Sequence, residues 1–274
     1  MSPTEANGPR KFRHLPAGRR SDLAEYVTAN GQMTVADLAE RYGVSIDTIR
    51  RDLDRLDSDG VLVRTHGGAV SGATGPRPDR DLDVRLRLQT AEKEQIAELA
   101  AGLVPDGSVI MLNAGTTTLA TARHLRNHRD LTIATNNLRI PAEISAKAFR
   151  DLYVFGGSVR SITQATTGPV VLRASAGGHD VDLQCDLAII GVGAVSATSG
   201  YSTSNLGDAS MMAEMMNRSQ QVAVVADSSK FDRRLFAQVA ELGRADYFVT
   251  NERPPAELEA ALRAAEVELL YPES

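Results

Sequence analysis

Apolar residues in the first 70 positions repeat with the spacing of short helices and then change to the spacing of a strand. Three amphipathic helical patterns are separated by Gly31 and Gly43, and their apolar members are Leu23, Tyr26 and Val27, then Val35, Leu38, Ala39 and Tyr42, then Ile49, Leu53 and Leu56. The apolar run 61–63 follows as a short strand, and two adjacent glycines turn the chain back. The pattern therefore predicts three helices and a hairpin.

From Glu92 onward, short apolar runs alternate with helical patterns. The candidate strands are 108–112, 131–135, 152–155, 187–190, 221–225 and 247–250, and the candidate helices are 91–103, 116–126, 140–149, 209–219 and 255–265. Short, almost continuously apolar strands that alternate with helices are typical of a mostly parallel sheet covered on both faces. The predicted fold class is α/β, with a small helical module in front.

Two glycines and two prolines lie among the polar residues 71–80, which is the composition of a linker. We therefore predict a flexible basic arm at 1–14, a helical module at 15–70, a linker at 71–82 and an α/β domain at 83–274.

Composition is that of a soluble protein, with 42% hydrophobic and 24% charged residues. No apolar run is long enough for a membrane helix, and residues 1–20 do not resemble a secretory signal, so we expect a cytoplasmic protein with no membrane partner. The single cysteine excludes an internal disulfide, and we predict neither a metal site nor a cofactor.

The net charge of −5 is unevenly spread along the chain. Residues 1–75 carry ten Arg and Lys against ten Asp and Glu, which leaves 20 against 25 in the remainder. Attraction to DNA depends on a local basic face rather than on total charge. A neutral N-terminal segment with clustered arginines is therefore compatible with a nucleic-acid partner.

The third helical pattern begins at Ser45, a favourable N-cap, and places Asp47 in its first turn, where the helix dipole favours negative charge. Its apolar residues form one stripe, and the opposite face presents Asp47, Thr48, Arg51, Arg55 and Ser58, with Arg50 at the margin. A helix that enters the major groove needs hydroxyls near its start and arginines that hold guanine or phosphate. A generic amphipathic helix also has a polar face.

The order of elements favours a helix that reads DNA over a generic amphipathic helix. A short helix, a tight turn, a capped helix with paired arginines and a hairpin that carries Arg64 and His66 describe a winged helix-turn-helix. The predicted DNA-binding residues are Ser45, Thr48, Arg50, Arg51, Arg55, Arg64 and His66.

Polar and glycine-rich clusters follow the candidate strands of the α/β domain. The first, Asn113 to Thr118, also opens a helix, where threonine hydroxyls and free N–H groups can surround an anion. Ligands bind at the carboxyl ends of strands in open α/β sheets, so the clusters together indicate one site. The predicted effector-binding residues are Asn113, Gly115, Thr116, Thr117, Thr118, Asn136, Asn137, Gly157, Arg160, Asp227 and Lys230.

The chain resembles the DeoR family of bacterial sugar-metabolism repressors. In the N-terminal module the resemblance lies in the segments 33–39, 43–45, 48–53 and 64–69, the last reading Arg-Thr-His-Gly-Gly-Ala. In the α/β domain it lies in the strand-end clusters together with Gly168, Asp186 and Gly200. The resemblance implies a sensor domain similar in fold to ribose-phosphate isomerases and acyl-CoA transferases. It also implies phosphorylated sugars or sugar-derived metabolites as effectors, with binding roles for Gly115, Thr116, Thr117, Asn136, Gly157 and Lys230.

Two positions depart from that family. Asn113 stands where an Asp is usual, and Met212 stands where a Lys is usual. One lost acid and one lost base leave the charge unchanged, which suggests that the two positions once faced each other. Met212 and its neighbouring methionines serve either helix packing or a more apolar ligand wall.

Three functions are compatible with these features. The first is an operator-binding repressor that acts as a homo-oligomer on double-stranded DNA and is controlled by a small anionic metabolite. The second is a sugar-phosphate isomerase or related transferase, which Asn113 disfavours because an amide is not a general base. The third is a DNA-binding protein whose α/β domain only oligomerises. We expect the first, with no catalytic residue.

Overall fold

The computed structural model describes residues 19–20, 22–24, 26–27, 32–58, 62–65, 68–71, 82–168, 170 and 183–272. It divides into two units, Met1–Arg77 and Pro78–Ser274. The predicted arm at 1–14 and most of the predicted linker lie outside the described residues. The domain boundaries given above stay a prediction.

In the N-terminal unit the described residues 19–20, 22–24 and 26–27 are helical, as the first predicted pattern requires, and two further helices and a small antiparallel sheet follow them. Strand β1 (Gln32–Thr34) leads into α1 (Val35–Tyr42), and α2 (Ile46–Ser58) is followed by β2 (Leu62–Thr65) and β3 (Gly68–Ser71). The sheet order is β1-β3-β2. The predicted apolar stripe of α2 is confirmed, because Ile49, Leu53 and Leu56 are buried with Leu23 and Leu38 in one core.

Gly68, the first residue of β3, lies directly beside the backbone of β1. A Cβ atom at this position would lie 1.9 Å from the carbonyl oxygen of Met33, a distance that no side chain tolerates. The close approach lets Thr34 pair with Gly68 across the sheet. The second glycine of the Gly-Gly pair therefore serves the backbone packing of the hairpin.

A seven-stranded sheet forms the centre of the C-terminal unit, and every pair of neighbouring strands in it is parallel. In spatial order its strands are β15 (Glu268–Leu270), β14 (Tyr247–Val249), β12 (Ser219–Val225), β9 (Cys185–Gly191), β4 (Val109–Leu112), β5 (Leu131–Thr135) and β6 (Phe149–Val154). The predicted α/β fold with a mostly parallel sheet is confirmed. The chain builds β4, β5 and β6 in one direction and then returns to place β9 on the other side of β4.

Helices cover both faces of this sheet. On one face, α4 (Thr90–Gly102) and α5 (Thr116–His124) bury Ile96, Leu119 and their neighbours against the strands. On the other face, α7 (Leu206–Asn217) and α8 (Ala256–Ala264) bury the methionines of α7 and Leu258. Met212 belongs to this second core, so helix packing accounts for it.

One predicted helix is wrong. The pattern predicts a helix over 140–149, whereas α6 covers only Ile140–Glu143 and β6 already begins at Phe149. Phe149 pairs with Leu131 at the start of β5, so strand pairing overrides the local helical pattern.

Several short elements escape the sequence pattern. They are α3 (Leu82–Arg87), β7 (Ser158–Arg160), β8 (Ala165–Thr167), β10 (Ala194–Ser196), β11 (Gly200–Thr203), β13 (Ala237–Ala240) and β15. Strands β7 and β8 form an antiparallel hairpin after β6, whereas β10, β11 and β13 form a separate three-stranded sheet.

Candidate functional site

Helix α2 turns an arginine-rich face to solvent. Arg50, Arg51 and Arg55 are exposed, whereas Thr48 is half-buried. Arg50 Nη1 lies 3.4 Å from Asp47 Oδ1, an exposed pair one turn apart. The opposite face is anchored by Asp52, whose buried carboxylate accepts a hydrogen bond from Arg19 Nε at 2.6 Å. The basic face thus belongs to a helix fixed by both apolar packing and an ion pair.

Ser45 caps the start of α2, as the sequence predicts. Its hydroxyl accepts a hydrogen bond from the Thr48 amide at 3.2 Å and lies 2.9 Å from the Thr48 hydroxyl. Two of the predicted DNA-binding residues are therefore already bonded to each other. The side chain of Arg64 and the whole of His66 lie outside the described residues, although the Arg64 backbone pairs with Ala69.

Ile46 is a surface residue of α2 that the sequence reasoning missed. It is the first residue of the helix and is 47% exposed. The first residues of a recognition helix are those that reach base edges, where the thymine methyl is the apolar group. The helical period gave no signal of this exposure, because Ile46 falls on the same side of the helix as Ile49 and Leu53.

The C-terminal unit brings most of its predicted residues to the carboxyl edge of the sheet, meaning the edge at which the parallel strands end. Asn113 follows β4 at the point where the strand order reverses between β4 and β9. Its Nδ2 donates to the Gly191 carbonyl at 2.8 Å, and its Oδ1 accepts from the Gly191 amide at 2.8 Å. Asn113 thereby ties together the two strands that flank the crevice where ligands bind in this class of sheet.

The start of α5 presents hydrogen-bond donors at this edge. Thr116 and Thr117 are buried, and within the described residues neither hydroxyl donates to a protein acceptor. The first intrahelical bond is donated by the Leu119 amide to Gly115, so the preceding amides have no acceptor within the helix. Thr118 is different, because its hydroxyl donates to the Asn113 carbonyl at 2.7 Å.

Asn136 and Asn137 follow β5 and hold neighbouring segments of the edge. Asn136 Oδ1 accepts from the Ala114 amide at 2.7 Å, and its Nδ2 donates to the Thr166 carbonyl at 2.9 Å. Asn137 Nδ2 lies 3.4 Å from the Gly115 carbonyl oxygen. The side-chain amides of Asn136 and Asn137 therefore hold the backbone just before the threonines of α5, and Asn136 also links it to the β7–β8 hairpin.

Gly157 and Arg160 lie on that hairpin. Gly157 has a φ of 132°, and a Cβ there would lie 2.3 Å from the Thr167 carbonyl oxygen, so its role in the fold is steric. Arg160 forms a close ion pair with Asp208 in the first turn of α7. This pair joins the hairpin to α7.

Asp227 and Lys230 follow β12, around a 3-10 turn at Ser228–Lys230. Asp227 is buried, and its Oδ2 lies 3.8 Å from Lys230 Nζ. Its Oδ1 accepts a hydrogen bond from the Ser229 amide at 3.1 Å. The turn thus presents one ammonium group beside a buried carboxylate.

Lys93 on α4 is a second residue that the sequence reasoning missed. It is buried, and burial lowers the pKa of its ammonium to about 8. Asp227 and Lys230 also act on this pKa, the first raising it and the second lowering it. The helical period held the signal, because Lys93 lies on the same face as Ile96, Ala97 and Ala100.

Comparison with protein families accounts for both units. Residues 19–74 match the model described as the DeoR-like helix-turn-helix domain, and residues 88–252 match the DeoR C terminal sensor domain. The chain belongs to the DeoR family. Among the described residues of this family member, no helix combines the length and apolar character needed to cross a membrane.

Relatives in the DeoR family are named as transcriptional repressors. The HTH-type transcriptional repressor CsqR of Escherichia coli is 31% identical over 93% of this chain and 95% of its own length. The glycerol-3-phosphate regulon repressor of Escherichia coli is 29% identical over 92% and 97%, and the repressor GlcR of Bacillus subtilis is 31% identical over 92% and 94%.

Solved structures show more distant likeness. Ribose 5-phosphate isomerase from Plasmodium falciparum matches with 13% identity and a TM-score of 0.36, over 51% of this chain and 52% of the isomerase. The translation initiation factor eIF-2B of Pyrococcus horikoshii matches with 15% identity and a TM-score of 0.44, over 88% and 91%. We draw no functional conclusion from likeness at this level.

Proposed function

We propose that this chain is a transcriptional repressor that binds operator DNA and is controlled by a small phosphorylated metabolite held at the carboxyl edge. We infer a carbohydrate-metabolism operon as its target, because related repressors are named for such operons, including the glycerol-3-phosphate regulon.

The DNA-binding part rests on α2. Its exposed arginines and its capped N-terminus fit the major groove, where arginine holds guanine in a bidentate manner. We propose that Thr48, Arg50, Arg51 and Arg55 contact DNA, that Ser45 positions Thr48, and that Arg64 and His66 contact DNA from the hairpin.

The effector part is carried by the start of α5. The hydroxyls of Thr116 and Thr117, two largely buried residues, have no protein acceptor within the described residues, and with the free amides of the helix start they form a set of donors suited to an anion. Lys230 supplies a compact positive charge at the end of β12, which suits a phosphate group. We propose that Asn113, Thr118, Asn136 and Asn137 shape this site and that Gly157 and Arg160 fix the hairpin beside it.

We propose that the bound metabolite is not turned over. Proton abstraction needs a positioned carboxylate, and the residue at the reversal of strand order is Asn113, whose amide is bonded on both sides to Gly191. Asp227 is a carboxylate near the site, but it is paired with Lys230 and the Ser229 amide.

We also propose that the chain binds DNA as a homo-oligomer. One winged module buries little surface on DNA, and operators are commonly read by symmetric pairs. Sedimentation of the full chain with and without operator DNA tests this, and a monomer bound to a complete operator would contradict it.

Selection of duplexes from a random library with the full chain would define the operator. We then expect Arg51→Ala to weaken binding by about 1 to 3 kcal/mol and to relax selectivity at one base pair, as a lost bidentate base contact does. Arg126→Ala, which removes an exposed arginine of the C-terminal unit, is the control. No enriched sequence, or equal affinity of the two variants, would reject the assignment of α2.

Calorimetry of sugar phosphates against the corresponding free sugars tests the effector part. We expect binding of at least one phosphorylated sugar, weakened in Lys230→Ala and unchanged in Lys147→Ala, which removes an exposed lysine. A preference for the free sugar, or indifference to Lys230→Ala, would reject the phosphate assignment and leave DNA binding untouched.

A further inference from the structure

Helices α3 and α4 are separated by only two residues, Leu88 and Gln89. Leucine and glutamine are both good helix formers, and residues 82–101 contain neither glycine nor proline. The local sequence therefore favours one continuous helix across this point. Contacts with the rest of the sensor unit must supply the free energy that breaks it.

Gln89 carries the break in its backbone. Its φ of 49° and ψ of 45° lie in the left-handed region, which glycine adopts freely and glutamine only at a cost. Helices often end on a left-handed residue, but that residue is usually glycine. A good helix former held in this conformation stores strain, which a right-handed Gln89 would release. Strained residues of this kind cluster at the switch regions of proteins.

The carbonyls at the end of α3 are bonded by side chains of α4. In an unbroken helix the Arg85 and Leu88 carbonyls would accept the amides four residues further on. Here Lys93 Nζ donates to the Arg85 carbonyl at 2.6 Å and also to the Leu88 carbonyl. The Thr90 hydroxyl lies 3.4 Å from the Arg87 carbonyl oxygen. Since these carbonyls keep donors in the broken arrangement, the free-energy gap between a broken and a continuous helix is narrowed.

Two further contacts hold α3 on the sensor unit. Leu82 is 3% exposed, and Leu86 is half-buried against the core that α4 and α5 share. The Leu82 amide also donates to the Ile162 carbonyl, between β7 and β8, at 3.0 Å. A right-handed Gln89 would redirect α3 along the axis of α4 and break both contacts. The two arrangements therefore exchange apolar burial for relief of backbone strain.

We propose that Leu88 and Gln89 form a hinge, at which α3 exchanges between the docked state of this structure and an undocked state that continues α4. In sequence, α3 is the first described helix after residues 72–81, so along the chain the hinge separates the sensor core from the DNA-binding unit. The state of the hinge decides in which direction the chain leaves the sensor core, and operator affinity differs between the two states.

Contacts of the β7–β8 hairpin connect the hinge to the effector site. Asn136 accepts a hydrogen bond from the Ala114 amide and donates one to the Thr166 carbonyl of β8. Ile162, which accepts from the Leu82 amide, belongs to the same hairpin. An anion that fixes the backbone before α5 therefore favours the docked state, as a ligand does when it prefers one of two states. This link rests on the proposed function, whereas the hinge itself does not.

Labelling of a buried thiol measures the undocked fraction. In the full chain carrying Leu82→Cys, the new thiol is shielded while α3 is docked and reacts when α3 leaves the core. The native Cys185 is buried, and the chain without Leu82→Cys gives its background rate. We expect Gln89→Gly and Gln89→Asn, which tolerate the left-handed region, to slow labelling, the glycine by about fivefold or more. Gln89→Ile, which tolerates that region poorly, should speed labelling.

Gln95→Gly is the matched control, because Gln95 is an exposed glutamine inside α4. Glycine there only weakens an ordinary helical position, so it should not slow the labelling of Leu82→Cys. Hydrogen exchange measures the same equilibrium in chains that lack the new cysteine. The Leu82 amide, which is bonded in the docked state, should exchange more slowly in Gln89→Gly than in Gln89→Ile. This measurement decides the matter where Leu82→Cys itself prevents docking.

Distinct results overturn distinct statements. Equal rates in the wild type, Gln89→Gly and Gln89→Ile, or equal slowing by Gln95→Gly, would overturn the hinge. Operator affinity should shift in opposite directions in Gln89→Gly and Gln89→Ile, and unchanged affinity in both would overturn the control of DNA binding.

Sulfate and the sugar phosphates of the panel test the link to the effector site. An anion that binds in calorimetry should slow the labelling of Leu82→Cys, and binding without slower labelling would overturn this link alone. A protein that binds none of these anions would overturn the effector part of the proposed function and the link with it, while the Gln89 variants still decide the hinge.

Discussion

The buried ammonium of Lys93 makes the stability of the protein depend on pH in a direction opposite to that of an ion-paired lysine, whose pKa is raised. Burial lowers the pKa of this lysine from 10.5 to about 8 in the folded protein. Between these values the unfolded chain binds more protons than the folded one, so the free energy of unfolding rises with pH. Below pH 8 the folded protein carries the full cost of the buried charge.

The size of the effect follows from the two pKa values. The whole difference corresponds to about 3 kcal/mol, of which about 2 kcal/mol is recovered between pH 7 and pH 9.5. Lys93→Met keeps a similar volume and removes the charge, so it removes this pH dependence. At pH 7 the variant avoids the free-energy cost of burying a charge, but it loses the two hydrogen bonds to the α3 carbonyls.

Urea unfolding of the full chain, followed by circular dichroism from pH 7 to 9.5, gives the comparison. We expect the free energy of unfolding of the wild type, relative to Lys93→Met, to rise by about 2 kcal/mol over this range. The same difference relative to Lys147→Met should stay constant, because that lysine is exposed. A constant difference for Lys93→Met, or one that falls with pH, would refute the burial of a titrating lysine.

Three further substitutions test separate features. Gly68→Ala should destabilise the N-terminal unit by about 1 to 3 kcal/mol, since its Cβ has no space, whereas Gly102→Ala, with nothing within 4 Å, should be neutral or slightly stabilising in thermal unfolding. Asn113→Asp replaces the group that donates to the Gly191 carbonyl by a second acceptor, so it should lower the free energy of unfolding by about 1 to 3 kcal/mol at pH 7. The loss should be smaller at pH 4, where the carboxyl is protonated, and an equal loss at both pH values would contradict this. If Ile46 contacts a thymine methyl, replacing that operator thymine by uracil should weaken binding of the wild type by about 1 kcal/mol and should not weaken binding of Ile46→Ser. If the losses from the base change and from Ile46→Ser simply add, the methyl contact is excluded.

Much of the architecture was predictable from the sequence because it depends on local periodicity. The stripe of Ile49, Leu53 and Leu56 follows from the helical repeat, and the six candidate strands all belong to the parallel sheet. The residues that follow those strands lie at one edge because parallel strands end together. The sequence could therefore predict that Asn113 and Asn136 share a site before any pairing was known.

The residues that act on one another across long stretches of chain were not predictable. Asn113 and Gly191 are 78 positions apart, and their contact depends on β9 returning to the side of β4 rather than extending the sheet beyond β6. The sequence also suggests that positions 113 and 212 face each other, but the side chain of Asn113 bonds Gly191 whereas Met212 packs in an apolar core. Such partners depend on strand order, which the local pattern does not encode.

Sequence by itself determined the helical periods, the strands and the chemistry at their ends, because these arise from neighbours within a few residues. Tertiary structure alone decided that 149 belongs to a strand, that Arg160 pairs with Asp208, and that Asn113 bonds Gly191. The physical reason is the same in each case. The free energy of a pairing or of a buried charge depends on surfaces that distant segments supply, and those surfaces exist only once the sheet has formed.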